Sequence, residues 1–548
     1  MQRSVSSGSE EKNVSRAAGV VGFFTFLSRS LGLIRDMVLA NFFGAGMVAD
    51  AFFVAFRIPN LLRRLFAEGS LTIAFIPVFT QYLTTKTREQ AFDLARIILT
   101  LLALILVVVT LLGVLLSPWI VRIQAFGFGA SGIKYDLTVL LTRITFPYIF
   151  LISIVAFFMG VLNSLRHFAA PAAAPIFLNV GIIGAAYLIS PHSPEPIVAV
   201  AVGVLIGGCL QVLLQIPWVL RNGLRLFPRW DPTHPAVRKI GLLMLPAVFG
   251  SAVYQFNQFM GTLLASFLPE GSVSWLYYAD RLVQFPLGIF AIAISTAALP
   301  SLSTQAANKE LEQFTDTLNH SLRLVFFIAL PSMVGLIVLG RPIVEILFQR
   351  GAFDSHSTLM TNYALIFYAL GLWAFSGIRV LVAGFYALQD TMTPVKVAIV
   401  ALVVNLILSL CLAFMTPLRH GGLAFALSLA SSLQFCLLVL FLKRKLPLAK
   451  LKSVFLSALK SALAATIMGL GVHYVHSKWL FAQSGAGLWH ILGDLAGLLA
   501  IGIFIYFSVA KILRCHELES LKDIFLPLIK REPPKGATVS YLDPDREQ

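Results

Sequence analysis

Residues 97–116 run for twenty positions without a charged side chain. That length matches the roughly 20 predominantly apolar residues a helix needs to cross the hydrocarbon core of a bilayer. The stretch 395–414 is equally long and similarly apolar. Such runs recur along the whole chain, separated by polar, Gly and Pro punctuation, and they divide it into about fourteen candidate spans. Only 12% of the 548 residues are charged and 58% are hydrophobic, with mean hydropathy +0.84. Soluble domains carry about 25% charged residues because their surface faces water. With half that fraction, the rest of the surface must face lipid. The fold class expected is an all-α polytopic membrane protein.

The net charge of +16 and pI near 9.8 would suit a nucleic-acid partner, but the placement of the charges gives another reading. With the N-terminus inside, about 28 of the 42 Lys and Arg residues fall in cytoplasmic segments, including Arg221, Arg225, Arg229, Arg238 and Lys239. The opposite loops hold Arg122, Lys134, Arg341, Arg350, Arg419 and Lys478. This asymmetry places both termini in the cytoplasm and leaves no nucleic-acid partner to invoke. The first 15 residues are polar, so no cleavable signal peptide is expected. Cys209, Cys411, Cys436 and Cys515 lack the spacing of a disulfide framework or a zinc site.

An internal repeat runs at an offset of about 223–224 residues. Ile76-Pro77 recurs as Leu299-Pro300, Pro171 as Pro394, Leu210-Gln211 as Leu433-Gln434, Gly160 as Gly384 and Arg57 as Arg281. The period spans six helices, an even number, so the copies share one orientation. Parallel repeats imply two lobes about an axis along the membrane normal. The expected organisation is a cytoplasmic extension over 1–15, an N-lobe over 16–222 and a C-lobe over 236–445. Two further helices over 454–515 and a disordered tail over 530–548 complete it.

Eight arginines fall inside the spans: Arg29, Arg35, Arg57, Arg63, Arg64, Arg143, Arg281 and Arg379. A charge at membrane depth costs several kcal/mol unless it meets water, a partner or a ligand. Arginine suits an anionic ligand because its forked donors match phosphate oxygens and it stays protonated. Arg29 and Arg35 lie in Ser28-Arg29-Ser30-Leu31-Gly32-Leu33-Ile34-Arg35-Asp36. Six residues of helix put them about 9 Å apart along the axis and about 120° apart around it, so both can border one wide cavity. The alternative for Arg35 is a structural salt bridge with Asp36 or Asp50, which is compatible with the ligand reading. In the second span Pro59 should kink or break the helix and Gly69 adds a flexible point. Arg63 and Arg64 face different ways, and Glu68 is the (i, i+4) neighbour of Arg64. The eighth span carries Asp280-Arg281 and Gln284. Arg281 is the repeat partner of Arg57, and Asp280 can neutralise part of its charge. His473 and His476 lack further ligands and read as interfacial histidines. No Ser–His–Asp set, P-loop or zinc motif supports catalysis, so the chain is not read as an enzyme.

The stretches around Ser28–Asp36, Gly44–Gly69 and Trp275–Pro286 resemble the MurJ (MviN) family of lipid II flippases. That family lies within the multidrug/oligosaccharidyl-lipid/polysaccharide exporter superfamily. The resemblance runs from about residue 15 to 515 and includes the stretch from Gly384 to Asp390 and Thr393-Pro394. It implies fourteen helices, two six-helix lobes around a central cationic cavity and a lipid-tail groove formed by the last two helices. It implies that Arg29, Arg35, Arg63 and Arg281 engage the pyrophosphate of undecaprenyl-linked GlcNAc–MurNAc-pentapeptide. Ser28 and Ala40 match cavity-facing positions, and Asp50 matches an acidic one. Gln284 stands where some relatives have Glu, so no acidic role carries over there. No cofactor is implied. Coupling to sodium or to the membrane potential stays open, since the family's sodium ligands do not map residue by residue, and Asp390 reads as a cap at the cytoplasmic end.

The expected function is flipping of lipid II from the inner to the outer leaflet of the bacterial cytoplasmic membrane by alternating access. Its partners would be lipid II, membrane lipids and proteins of peptidoglycan synthesis. The rival readings are an exporter of another polyprenyl-linked oligosaccharide or of drugs, a non-transporting scaffold for cell-wall enzymes, and a membrane glycosyltransferase. Cationic drugs would favour intramembrane carboxylates, a scaffold needs no arginines at membrane depth, and a glycosyltransferase should show catalytic carboxylates.

Overall fold

The computed structural model describes residues 4–63, 72–446, 451–480 and 488–519. Among these residues every regular element is a helix. The chain separates into two compact units. The first comprises 1–282, 347–367 and 398–430, and the second 283–346, 368–397 and 431–548.

The first unit holds α1 (Ser4–Phe43), α2 (Met47–Leu62), α3 (Thr72–Thr85), α4 (Arg88–Leu115) and α5 (Ser117–Gln124). It continues with α6 (Ile133–Thr145), α7 (Tyr148–Ser164), α8 (Ala169–Leu188), α9 (Pro196–Arg221) and α10 (Pro235–Ser266). Most of α11 (Ser272–Pro286) also belongs here. Helix α1 begins at Ser4, within the stretch expected as an extension. Helix α2 runs through Pro59 and ends at Leu62. Backbone contact joins α8 to α9: a Cβ placed on Gly181 would lie 2.6 Å from the Cα of Gly207, and Gly203 sits one turn earlier against Ala185. In lipid, apolar burial does not drive helices together, so such small-residue seams supply the close packing. Phe75, Phe79, Phe92 and Phe157 fill the interior between α3, α4 and α7.

The second unit holds α12 (Ile292–Ala307) and most of α13 (Leu311–Phe348). Helix α14 (Ser355–Ala369) lies mainly in the first unit, and α15 (Leu372–Ala387) in the second. Helices α16 (Met392–Phe414) and α17 (Arg419–Lys445) each contribute to both, while α18 (Leu451–Val475) and α19 (Leu488–Ile512) belong to the second. A π-helical segment, Leu287–Ala291, separates α11 from α12 just after Pro286, whose missing N–H breaks the regular ladder. Gly469 on α18 is packed against Val334 of α13, and Gly471 against Ile505 of α19.

Among the described residues ten helical segments are long and apolar enough to span a membrane, or eleven when α14 and α15, bent by 44°, count as one. This differs from the fourteen expected. Helix α1 carries Arg29, Arg35 and Asp36 in its apolar half, and α2 has only 16 residues before the segment 64–71, which lies outside the described residues. In α10 the side chains of 245–251 also lie outside the described set.

Asp390 caps α16. Its Oδ1 accepts from the Thr393 backbone N–H (3.0 Å), its Oδ2 accepts from Thr393 Oγ1 (2.6 Å), and Lys445 pairs with the same oxygen. Burial would raise its pKa, but the Lys445 and Thr393 bonds outweigh burial and hold it at about 2. The folded carboxyl therefore titrates below its usual range near 3.9, so its contribution is full above pH ~4 and is lost as pH falls toward 2. Asp390→Ala is expected to lower stability by about 1 kcal/mol, read as faster amide exchange over 391–395 at pH 7, with the difference from wild type shrinking below pH 4.

Candidate functional site

Helix α1 delivers a buried aspartate between two arginines. Asp36 is 1% exposed and accepts from Arg35, its chain neighbour, through Oδ1 (Nη2 2.7 Å, Nε 3.0 Å). Its Oδ2 meets Arg281 Nε from α11 at 3.0 Å. The Tyr277 hydroxyl sits among all three. It donates to Asp36 Oδ1 (3.1 Å) and accepts from Arg35 Nη2 (3.1 Å) and Arg281 Nη2 (3.0 Å). Spacing explains its position: Tyr277 precedes Arg281 by four residues, one helical turn, so both project from one face of α11. Its ring stacks on Phe53 of α2 with centroids 3.9 Å apart. Asn179 of α8 closes the group, with Oδ1 accepting from Arg35 Nη1 (3.2 Å) and Nδ2 donating to the Ser28 carbonyl (3.2 Å).

Two guanidiniums share the Asp36 carboxylate, and Asp280, next to Arg281 in the chain, adds a second negative charge to the field around Arg281. Arg35 is 5% exposed and its fork is engaged by Asp36, Asn179 and Tyr277. Of the two salt-bridge partners open to Arg35, the structure selects Asp36. The Arg281 side chain keeps 40% of its surface exposed. Arg29, one turn below Leu33, is exposed and makes no hydrogen bond or ion pair among the described residues. Tyr277→Phe keeps the ring on Phe53 but leaves polar atoms of Arg35 and Asp36 less satisfied. It is expected to lower stability by about 1–3 kcal/mol, measured by thermal unfolding in detergent.

Asp50 has a different task. Its Oδ1 accepts from the Ser274 backbone N–H (2.9 Å) and Ser274 Oγ (2.7 Å), and its Oδ2 from the Gly271 N–H (2.9 Å) and Lys134 Nζ (2.8 Å). A carboxylate in the first turn of α2 thus caps α11. Glu270, just before α11, returns the favour by accepting from the Met47 N–H that opens α2 (2.7 Å). Each helix N-terminus, with its unsatisfied N–H groups and positive dipole end, is neutralised by the other's acid. Three glycines in left-handed conformation let the backbones meet here: Gly44 (φ +63°), Gly271 (+91°) and Gly351 (+56°). A Cβ on any of them would collide with a carbonyl, of Ala352, Ala45 and Asn41 respectively. The Ala352 N–H donates to the Asn41 carbonyl (2.9 Å), and Tyr278 Oη donates to that of Gly44 (3.3 Å). This end of the first unit is closed.

The other candidates are placed as follows. Arg57 is half-buried and reaches α10, where it bonds Thr262 Oγ1 and the Gln258 carbonyl (3.5 Å). Arg63 is half-buried at the C-cap of α2. Ala40 is fully buried and offers no surface in this conformation. Asp280 is half-buried beside Arg281, and Gln284 is half-buried in the second unit. Arg64 and Glu68 lie outside the described residues. Among the described residues no group of three or more metal-ligating side chains gathers. Sequence reasoning missed Tyr277, Asn179, Lys134 and Glu270. Tyr277 is one turn from Arg281, and Asn179 is an amide inside an apolar helix, so both carried a readable signal.

Ten or eleven helical segments among the described residues that are long and apolar enough to cross a membrane define a multi-span helical membrane protein. Comparison with known proteins makes that class specific. The family described as "Lipid II flippase MurJ" matches residues 39–487, and the chain belongs to it. A Vibrio cholerae protein described as a probable lipid II flippase MurJ is 38% identical over 515 residues, 92% of this chain and 96% of the relative. The lipid II flippase MurJ of Burkholderia cenocepacia is 38% identical over 437 residues, 79% of this chain and 84% of its own. A solved lipid II flippase MurJ in an inward closed conformation superposes with TM-score 0.75 at 28% identity, covering 90% of this chain and 98% of that one. An inward-facing MATE-family multidrug transporter shares the fold alone, with TM-score 0.64 at 14% identity over 80% of this chain and 99% of its own.

Proposed function

We propose that the protein flips lipid II from the inner to the outer leaflet of the bacterial inner membrane, acting as a transporter and not as a catalyst. The observation that carries the reading is the sharing of the Asp36 carboxylate by two guanidiniums, those of Arg35 and of the part-exposed Arg281. Family membership supports the identity of the anion. In this reading both termini are cytoplasmic, and Arg29, Arg35, Arg63 and Arg281 serve the pyrophosphate. Arg57 and Asp280 adjust the field around it.

Asp36 competes with substrate phosphate for Arg281. When the phosphate is bound, Arg281 leaves Asp36; on release, the carboxylate takes it back. Transport needs the substrate to bind less tightly once the site faces outward, at about 1.4 kcal/mol per tenfold difference in affinity. Return of Arg281 to Asp36 provides part of that difference. The junction at Asp50, Glu270 and Gly351 lies at the outer end of the first unit in this orientation.

The test is translocation of labelled lipid II in proteoliposomes holding the purified full chain. Leaflet exchange above that of empty liposomes supports the reading. Exchange of a polyprenyl-linked glycan lacking the pentapeptide at the same rate would favour the broader exporter reading, and no exchange of either would favour the scaffold.

A further inference from the structure

The connection between α9 and α10 is held in place as a strap. Gly223 turns the chain at φ +98°, and Leu224 enters the core cluster that contains Phe92. The strap is then tied along α4 by successive bonds. Arg88 Nη2 donates to the Asn222 carbonyl (2.8 Å), Arg96 Nε to the Phe227 carbonyl (3.2 Å), and the Arg229 N–H to Thr100 Oγ1 (3.0 Å). The Arg229 guanidinium also pairs with Asp93, which holds Arg96 from the other side (2.9 Å).

These ties set a depth. Arg88 and Thr100 are twelve residues apart, about 18 Å of helical rise. The uncharged run of α4 begins at residue 97, between the last two ties. Residues 227–230 therefore lie level with the start of the lipid-facing run. At that level the strap turns Phe227 (69% exposed) and Trp230 (62% exposed) outward, with the exposed Arg225 close by in sequence. Exposed aromatic rings beside arginine suit the boundary between headgroups and acyl chains. Arg221, Arg225, Arg229, Arg238 and Lys239 far outnumber Asp231 on this connection and its flanks, so the fitting headgroup is anionic.

We infer that residues 222–230 form a docking surface for anionic phospholipid, with Phe227 and Trp230 seated at the headgroup–acyl boundary and Arg225 on the headgroup phosphates. The surface is separate from the Arg35–Asp36–Arg281 group and holds whichever leaflet it faces.

The test uses the full chain in nanodiscs containing either brominated phosphatidylglycerol or brominated phosphatidylcholine at equal mole fraction. The chain has seven tryptophans, so the Trp230 signal is the difference between wild type and Trp230→Phe. Quenching is expected with both lipids and at least about twofold stronger with phosphatidylglycerol, with Arg225→Gln removing most of that preference. No quenching of Trp230 by either lipid would overturn the inference and point to a soluble partner. Equal quenching would overturn the anionic specificity. Preference unchanged in Arg225→Gln would overturn the assignment of that arginine.

Discussion

Asp36→Asn is expected to destabilise the protein by about 3–5 kcal/mol, because it leaves Arg35 buried with no counter-charge. Arg35 is 5% exposed, and neither the amide of Asn179 nor the hydroxyl of Tyr277 replaces a carboxylate. An asparagine at 36 still accepts one hydrogen bond, so the loss is electrostatic and not steric. The measurement is thermal unfolding in detergent, with Arg35→Gln added in the same background. The double variant should regain much of the lost stability, since it removes the stranded charge. A single variant as stable as wild type would show that Asp36 is not the anchor of this group.

Arg281→Ala is expected to do the opposite: little change in unfolding, large change in transport. Its side chain is 40% exposed while Asp36 is buried, and because Asp36 keeps Arg35 as its partner when Arg281 is gone, no buried charge is left unpaired and the loss of stability is modest. A hydrogen bond to a charged group is worth about 1.5–3 kcal/mol, or roughly 10- to 150-fold in a rate or affinity that depends on it. Lipid II exchange in proteoliposomes should fall by that factor. Arg281→Lys should recover only part, because an ammonium keeps the charge but not the forked geometry. Unchanged exchange in Arg281→Ala would remove Arg281 from the phosphate-binding role.

What the sequence disclosed follows from how local each interaction is. Asp390 and Thr393 are three apart, the spacing of an N-cap acceptor and the backbone N–H that donates to it, and the cap forms there. Arg35 and Asp36 are adjacent, so their pairing was one of two readable options. The Asp36–Arg281 bridge joins residues 245 positions apart, and nothing in the local pattern of either span specifies it. Asp50 shows the same limit more sharply. Its type and depth suggest charge pairing, which Lys134 supplies, but two of the four bonds it accepts come from backbone N–H groups more than 200 residues away. A backbone donor has no identity in a sequence, so a side chain recruited to cap a distant helix cannot be read from residue types. The span count among the described residues is lower for two separate reasons: α1 carries Arg29, Arg35 and Asp36 in its apolar half, and α2 has only 16 residues.

The crossed acids at the starts of α2 and α11 have a consequence for how that end comes apart. Each helix leaves its first N–H groups without partners of its own, and Asp50 and Glu270 serve each other's helix. Separating the two strips both ends in the same movement, so neither cap can loosen as a cheap first step. Such a junction behaves like a toggle, occupied fully or not at all, and partly parted forms should be scarcely populated.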